Sequence, residues 1–239
     1  MTDMTSSILI GTEGAVRVLT LNRPRRRNAL DTAAAQELLD ALRDAQGDSA
    51  VGAVVLTGTG TVFCSGADMT EFRDIPNVRA SEHRSDLFLE LLLVLEKLTL
   101  PLVCAAEGGA IGMGAALLNA ADMTVLAERA WISYPELPHG MVPSLMIPMV
   151  FAAVGARRGF EILALGDNID ARSALSCGLA NQVVQDGQAL DQALTLAQRL
   201  AGFDRAMMRE TKRLCGAMRD LSLPDALRFG RESARRTID

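Results

Sequence analysis

The chain has 239 residues, 49% of them hydrophobic and 22% charged, a composition typical of one ordinary globular domain. Its formal net charge of −5, with acidic and basic residues interspersed, argues against nucleic acid or an anionic membrane as the main partner. The cysteines show neither C-x-x-C nor Cys/His ligand spacing, and the first residues do not resemble a signal peptide. We therefore expect a cytoplasmic protein without a structural metal.

The apolar pattern predicts strands that alternate with helices in the first part of the chain. Apolar runs predict six strands, at residues 7–10, 15–21, 53–57, 102–106, 123–127 and 179–184. Asp31 is placed to cap a helix that runs to about Arg43, and a second helix carries leucines at helical spacing, namely Leu87, Leu91, Leu95 and Leu98. Further helices are predicted at residues 171–177, 189–200 and 205–218. This order predicts an α/β core followed by a mostly helical C-terminal portion.

Two segments lack a regular pattern. Residues 74–85 contain Pro76 and Asn77, which favour a mobile loop that could act as a lid, with His83 facing solvent. Residues 137–156 carry no formal charge and are long enough to span a bilayer, but they contain three prolines that would break a spanning helix. We interpret this second segment as a loop that enters a buried helix.

Segment 101–117 leads an apolar strand through a glycine-rich turn into an apolar helix. The turn contains four glycines, Gly108, Gly109, Gly112 and Gly114. Such a turn lets the backbone approach a ligand closely, and the helix that follows offers unpaired N–H groups and the positive end of its dipole. A second loop, residues 63–69, also follows a predicted strand and carries Gly66 just before Ala67. Two such loops could supply the paired donors of an oxyanion hole.

Other glycine motifs fit this turn less well. A dinucleotide-binding fingerprint needs a third glycine three residues after Gly114, but Leu117 stands there. The sequence contains no P-loop motif, and Ser65 lacks the preceding glycine of a hydrolase nucleophile elbow. The turn therefore predicts neither nucleotide binding nor hydrolase chemistry.

Several motifs in order resemble the crotonase superfamily, also called the enoyl-CoA hydratase/isomerase family. They span nearly the whole chain and comprise residues 21–30, 54–58, 63–69, 108–117, 121–122, 134–136 with Gly140 and Pro143, and 178–184. The resemblance implies an α/β fold, in which a spiral of repeated ββα units is followed by a C-terminal helical trimerisation region. Within one structural domain, residues 1–185 would form the core with the acyl-CoA site and residues 186–239 the helical region. It also implies a homotrimer or hexamer, an acyl-CoA thioester substrate and no separate cofactor, since coenzyme A is part of the substrate.

The resemblance also implies a set of site residues. The backbone N–H groups of Ala67 and Met113 would form the oxyanion hole for the thioester oxygen. Coenzyme A would be bound at its adenosine-phosphate part by Arg25, Arg26 and Ala29, and at its pantetheine and adenine by Ser65, Asp68 and Met69. The remaining residues expected at the substrate are Gly112, Leu117 and His139. Met113 stands where the family usually has glycine, and we expect it to narrow an acyl tunnel that Leu117, Leu137 and Met141 help to line.

The number of carboxylates predicts the reaction. Family hydratases use two glutamates, but this chain has only the second, Glu136, with Ala116 in place of the first. One base beside an enolate suffices to move a proton between two carbons, so we expect an enoyl-CoA isomerase with Glu136 as the proton shuttle. Hydration, decarboxylation of a malonyl-type thioester, and a non-catalytic acyl-CoA binding subunit are the alternatives.

Other roles for the polar residues near the predicted site also stay open. Glu136 itself could be a helix cap or an ion-pair partner. His139 could orient Glu136, contact the acyl group or bond a loop carbonyl, and Glu107 could replace the missing carboxylate if its side chain points inward. Asp122 resembles a position with a structural role in the family.

The end of the chain is a second departure from the family pattern. Family members commonly continue beyond the segment that resembles residues 226–237 into a last helix, whereas this sequence stops at Asp239. In the family this helix often helps to cover coenzyme A. We therefore expect weaker coverage of the adenosine end.

Overall fold

The computed structural model describes residues 6–74 and 78–236, and its larger sheet has six strands. In spatial order these are β1 (Ile8–Glu13), β2 (Val16–Leu21), β3 (Ala53–Gly58), β5 (Leu102–Ala106), β7 (Met123–Ala127) and β10 (Gln182–Val184). β1 and β2 form an antiparallel hairpin, and every later pairing in this sheet is parallel. Parallel strands are covered on both faces, which explains why β3 and β5 read as continuous apolar runs.

A smaller sheet has four short strands. Their spatial order is β4 (Val62–Cys64), β6 (Gly109–Ile111), β8 (Trp131–Ser133) and β9 (Ile169–Asp170). The chain alternates between the two sheets, because β3, β5 and β7 are each followed directly by a strand of the smaller sheet and then by a helix. This repetition is the predicted spiral of ββα units.

Helices cover the large sheet and continue to the C-terminus. They are α1 (Thr32–Gly47), α2 (Met69–Arg73), α3 (Val78–Lys97), α4 (Met113–Asn119), α5 (Met146–Leu165), α6 (Ala171–Cys177), α7 (Ala189–Ala201), α8 (Arg205–Met218) and α9 (Leu223–Arg236). Asp31 caps α1 as predicted, since its side chain accepts a hydrogen bond from the N–H of Ala34 at 2.8 Å. α7 buries only alanines, Ala189, Ala193 and Ala197, and so lies close against β3 and β5.

The structure corrects three sequence predictions. Residues 78–85 are not a loop but the first turns of α3, and residues 75–77 of the predicted lid lie outside the described residues. The segment from residue 146 is not a buried helix, since α5 exposes Ile147 and Phe160 and continues to Leu165 past a break at Gly155. The last strand is also shorter than predicted, because Leu179 and Ala180 lie in the loop before it.

Residues 6–74 and 78–236 contain neither a helix that could span a membrane nor a cluster of side chains suited to a metal ion. None of the helices there combines the length and apolarity needed to cross a membrane. Within the same ranges, no group of three or more His, Cys, Asp or Glu side chains is arranged to hold a metal ion.

Candidate active site

The two predicted loops meet at the N-terminus of α4. The backbone of Gly66 packs so tightly that a Cβ atom there would lie 2.7 Å from the carbonyl oxygen of Ile111 and 3.3 Å from the nitrogen of Met113. Gly66 has a φ of +90°, which L side chains rarely adopt, so glycine is required for both space and conformation. The loop that carries Ala67 is thereby placed directly beside the first residue of α4.

The loop around Ala67 is held by the segment that follows Arg25, Arg26 and Arg27. Leu30 and Ala67 form an isolated parallel bridge, in which the N–H of Leu30 donates to Gly66 at 2.8 Å and the N–H of Asp68 donates to Leu30 at 2.7 Å. Ala67 lies between these two bonds and donates to neither. Met113 is the first residue of α4, where N–H groups have no acceptor within the helix. In the described part of the chain, neither N–H group has a backbone acceptor among the loop and cap hydrogen bonds, as is required of a donor to a ligand.

Glu136 brings a carboxylate to the same place. Gly112 has a φ of +52°, and a Cβ atom on it would lie 2.8 Å from Oε1 of Glu136. The carboxylate thus lies against the backbone immediately before Met113. Glu136 is the residue before a short 3₁₀ helix (Leu137–His139), but its side chain makes no capping hydrogen bond, and among the described residues it forms no ion pair.

The environment of Glu136 favours its protonated form. Burial raises the pKa of this carboxyl above its usual value, and the hydrogen bond from its own backbone and the charge of His139 offset this only in part. Its Oε2 atom is buried with no hydrogen-bond partner in the described part of the chain. A desolvated carboxylate with an unpartnered oxygen is suited to accept and return a proton.

Neither Glu107 nor Asp122, the two acidic residues nearest to the glycine turn in the sequence, takes the place left by Ala116. Ala116 is fully buried in α4. Glu107 points away to the start of α7, where it accepts hydrogen bonds from the N–H groups of Gly187 at 2.7 Å and Ala189 at 2.8 Å and pairs with Arg129. Asp122 accepts from the N–H of Leu102 at 2.7 Å and pairs with Lys212, so its role is structural. Glu107 is therefore a capping residue rather than a replacement base.

Most of the residues expected at coenzyme A lie on two adjoining segments. The N–H of Ser65 donates to the carbonyl of Arg27 at 3.0 Å, which joins the loop of Asp68 and Met69 to the loop of Arg25, Arg26 and Ala29. Arg25 and Arg26 are exposed, Met69 is exposed at the start of α2, and Ala29 is buried.

The carboxylate of Asp68 is occupied within this group. It caps α2 and pairs with Arg23 at 3.3 Å. Burial would raise the pKa of Asp68, but the N–H groups of Thr70 and Glu71 and the charge of Arg23 lower it below its usual value. Its N–H and carbonyl are also hydrogen-bonded, to Leu30 and to Phe72 and Arg84, so the neighbouring residues are better placed to contact a ligand.

The three remaining residues that were expected at the substrate, Gly112, Leu117 and His139, lie in different environments. Gly112 is buried and its N–H donates to Ser133 at 2.9 Å. Leu117 is fully buried in the core side of α4. His139 is exposed, and its Nδ1 lies 2.7 Å from the carbonyl oxygen of Pro135, which is the loop-bonding role considered from the sequence.

Comparisons with known proteins identify the family. The family model described as enoyl-CoA hydratase/isomerase matches residues 11–239. A Thermus thermophilus protein that carries an enoyl-CoA hydratase name is 36% identical over 219 residues, covering 91% of this chain and 87% of that protein. The chain belongs to the enoyl-CoA hydratase/isomerase family.

Two solved structures support the fold of this family member. The enoyl-CoA hydratase from Bacillus anthracis superposes with a TM-score of 0.92 at 26% identity, covering 97% of this chain and 91% of that one. A structure described as a monofunctional enoyl CoA isomerase from M. smegmatis has a TM-score of 0.80 at 30% identity, covering 93% and 99% of the two chains. The crotonase-like fold predicted from the motifs is confirmed.

Two buried polar residues beside the candidate site, Tyr134 and Arg84, were assigned no role from the sequence. Tyr134, the only tyrosine of the chain, is fully buried, with its hydroxyl 3.5 Å from the carbonyl oxygen of Ala115 in α4. Burial and the nearby charges of Glu136 and Cys177 raise the pKa of Tyr134, so it stays neutral. Arg84 lies in the segment predicted as a loop, which is the first part of α3, and it is buried there. Tyr134 is the first residue of a motif of the resemblance, but its side chain was given no role, and Arg84 carried no signal.

The raised pKa of Glu136 predicts a stability effect that depends on pH. Because the pKa is higher in the folded state than in the unfolded chain, the folded state loses stability as pH rises through the folded pKa. Glu136→Gln removes this loss, so we expect a higher melting temperature than wild type at pH 7 and a vanishing difference below the ordinary glutamate pKa of about 4.3. Thermal unfolding followed by circular dichroism checks this.

Glu107→Gln is the matched control for this measurement. Its carboxylate accepts two backbone N–H groups, so the substitution should lower the melting temperature at pH 7. A Glu136→Gln protein that is less stable than wild type at pH 7 would contradict the desolvated state of Glu136.

Proposed function

We propose that this family member is an enoyl-CoA isomerase that converts 3-enoyl-CoA esters into 2-enoyl-CoA esters. Glu136 takes a proton from C2 of the substrate, and the electron pair moves onto the thioester oxygen. The same carboxylic acid then returns the proton to C4 while the double bond forms between C2 and C3. No water enters the product, and no oxidant or reductant is consumed.

The N–H groups of Ala67 and Met113 would stabilise the negative charge of the enolate by donating hydrogen bonds to its oxygen. They are fixed before the reaction, so no reorganisation is needed when the charge develops on the oxygen. A donor of this kind is typically worth about 3 to 4 kcal/mol of the barrier. Neutral Tyr134 and buried Met113 keep the surroundings apolar, which strengthens these hydrogen bonds.

The observation that carries the proposal is the single carboxylate. Glu136 lies against Gly112. The position of the family's other glutamate is occupied by Ala116, and the carboxylate of Glu107 is bonded to the start of α7, so neither of these two residues can activate water. The similarity to the isomerase from M. smegmatis supports the same reading. Hydration is the second candidate, favoured by the hydratase names of relatives such as the Thermus thermophilus protein.

The exposed arginines favour coenzyme A as the carrier of the acyl group. Arg25 and Arg26 are exposed on the segment that hydrogen-bonds to the Ala67 loop, through the N–H of Ser65 and the carbonyl of Arg27. Guanidinium groups bind phosphates well, and coenzyme A carries several.

The test of this function is direct. Purified protein is incubated with a 3-enoyl-CoA, and formation of the conjugated 2-enoyl thioester is followed by its ultraviolet absorbance. Turnover of the 3-enoyl ester faster than hydration of the 2-enoyl ester supports isomerisation. If hydration of the 2-enoyl ester is the faster reaction, the protein is an enoyl-CoA hydratase, the second candidate.

We also propose that the chain forms a homotrimer or a hexamer of two trimers through its C-terminal helices. α8 buries none of its side chains within the described chain, and apolar residues of the region are left exposed, namely Phe203, Met207, Leu221, Leu223 and Leu227. Such an uncovered apolar surface is typical of an interface. Light scattering that gives the mass of one chain would contradict this.

A further inference from the structure

Arg84 is a buried cation beside the loop of Ala67. Its side chain is only 9% exposed, and its Nε donates to the carboxylate of Glu71 at 3.0 Å. Its Nη2 donates to the backbone carbonyl of Asp68 at 3.2 Å. The guanidinium lies 5.6 Å from the ring centre of Phe72 and 4.9 Å from that of Phe88. α3 therefore contacts both ends of the short helix α2 through one side chain.

An ion pair alone does not account for this arrangement. A buried charge is costly to desolvate, and a lysine would satisfy Glu71 with a single ammonium. The planar guanidinium instead reaches a second acceptor, the peptide that follows Asp68, while the two aromatic rings fix its plane. The fork geometry of arginine is thus used to hold backbone as well as charge.

The bonded carbonyl belongs to the residue that follows the proposed oxyanion donor. Asp68 directly follows Ala67, and its side chain caps α2 through the N–H groups of Thr70 and Glu71. Glu71 in turn accepts the N–H of Thr32 at 3.0 Å, which fastens α2 to the start of α1.

Arg23 completes the attachment from the other side. It pairs with Asp68 at 3.3 Å and with Asp31, the cap of α1, at 2.6 Å. α2 is therefore fixed on two sides by arginines, and of these only Arg84 reaches in from α3. Both arginines bond Asp68, the residue after Ala67: Arg84 at its carbonyl and Arg23 at its carboxylate.

We propose that Arg84 is a positioning residue that holds the N–H of Ala67 in the direction needed to bind the thioester oxygen. This inference rests on the proposed function. It acts through α2, so Arg84 need not touch the substrate. Without the hydrogen bond from Arg84, the carbonyl of Asp68 keeps, among the described residues, only the N–H of Phe72, at 3.1 Å, as a donor. The N-terminus of α2 is then held less firmly, and Ala67, the residue before Asp68, can shift relative to the thioester oxygen.

The test uses Arg84→Lys, which keeps the charge but not the fork, and Arg84→Gln, which removes the charge. We expect kcat for 3-enoyl-CoA to fall roughly 10- to 100-fold in both, with KM changed less than about threefold. Arg17→Met is the matched control, since Arg17 has a side chain that is 17% exposed and pairs with Asp48 far along the chain from the proposed site. It should lower the melting temperature without changing kcat.

A spectroscopic readout separates positioning from stability. The infrared stretch of the thioester carbonyl in bound 2-enoyl-CoA reports the strength of the oxyanion hydrogen bonds. We expect a shift to lower frequency in wild type and in Arg17→Met, and a smaller shift in Arg84→Lys. If Arg84→Gln does not fold, Arg84→Lys alone decides.

The two claims fail differently. Arg84→Lys with the kcat and carbonyl shift of wild type overturns the role of Arg84, whatever its melting temperature. Wild-type protein that binds the ester with a shifted carbonyl but does not turn over 3-enoyl-CoA overturns the isomerase proposal, and the carbonyl shift then still tests Arg84.

Discussion

Glu136→Gln should lower turnover of 3-enoyl-CoA by a factor of roughly 10² to 10⁴, the range typical of general acid–base catalysis. Glutamine keeps the size of the side chain but cannot accept and return the proton. The oxyanion donors are backbone groups and stay in place, so binding of the coenzyme A ester should persist. Steady-state kinetics together with calorimetric titration of a 2-enoyl-CoA ester measures both quantities.

Glu107→Gln controls for the loss of any glutamate near the glycine turn. Its side chain points to the start of α7, so we expect wild-type turnover from a protein that is less stable. Retained turnover in Glu136→Gln, or a loss confined to Glu107→Gln, would assign the proton transfer to another residue.

Gly66→Ala should reduce turnover by roughly 10²-fold or more, because it separates the two proposed oxyanion donors. The new Cβ atom would lie 2.7 Å from the carbonyl oxygen of Ile111 and 3.3 Å from the nitrogen of Met113, so one of the loops must move. Removal of one such donor typically costs 10² to 10³ in kcat. The expected loss is in kcat, measured with 3-enoyl-CoA at saturation.

Gly187→Ala isolates the cost of backbone strain from the effect on the donors. Its φ of +86° is close to the +90° of Gly66, but nothing lies within 4 Å of a Cβ atom there. We expect this variant to be less stable by about 1 to 2 kcal/mol and to keep the activity of wild type. Equal losses of kcat in the two variants would show that strain, and not the geometry of the oxyanion hole, causes the effect.

The long strands of the large sheet could be predicted closely from the sequence. β5 and β7 have the bounds that their apolar runs predicted, because strands covered on both faces must be apolar throughout. The capping of α1 by Asp31 was equally readable, since a short acidic side chain before an amphipathic run is a local signal.

The small sheet could not be predicted in the same way. β4, β6 and β8 have three residues each, which is too short for any periodicity, and β6 begins with a glycine. The motifs of the resemblance, not the apolar pattern, predicted the two-sheet spiral. The prediction of a loop at the start of α3 was wrong. Pro76 and Asn77 favour a turn, and the contact of Arg84 that stabilises this part of the helix is made to Glu71 in α2, which no local pattern reports.

In the candidate site, too, local motifs could be predicted from the sequence, whereas long-range contacts could not. The loops of Ala67 and Met113 and the carboxylate of Glu136 were predicted from motifs. The spatial role of Glu107 depends on its bonds to Gly187 and Ala189, some 80 residues away, and no local pattern reports such a contact. Whether a carboxylate points toward a site or caps a distant helix is decided by tertiary packing.

The central claim is that one carboxylate moves a proton and no water is activated. The measurement that tests it most directly is incubation of the purified protein with a 3-enoyl-CoA and, separately, with a 2-enoyl-CoA in H₂¹⁸O, with products read by mass and ultraviolet absorbance. We predict conversion of the 3-enoyl to the 2-enoyl ester without uptake of ¹⁸O. Rapid formation of ¹⁸O-labelled 3-hydroxyacyl-CoA would contradict the claim, because water would then be activated without a carboxylate at Ala116.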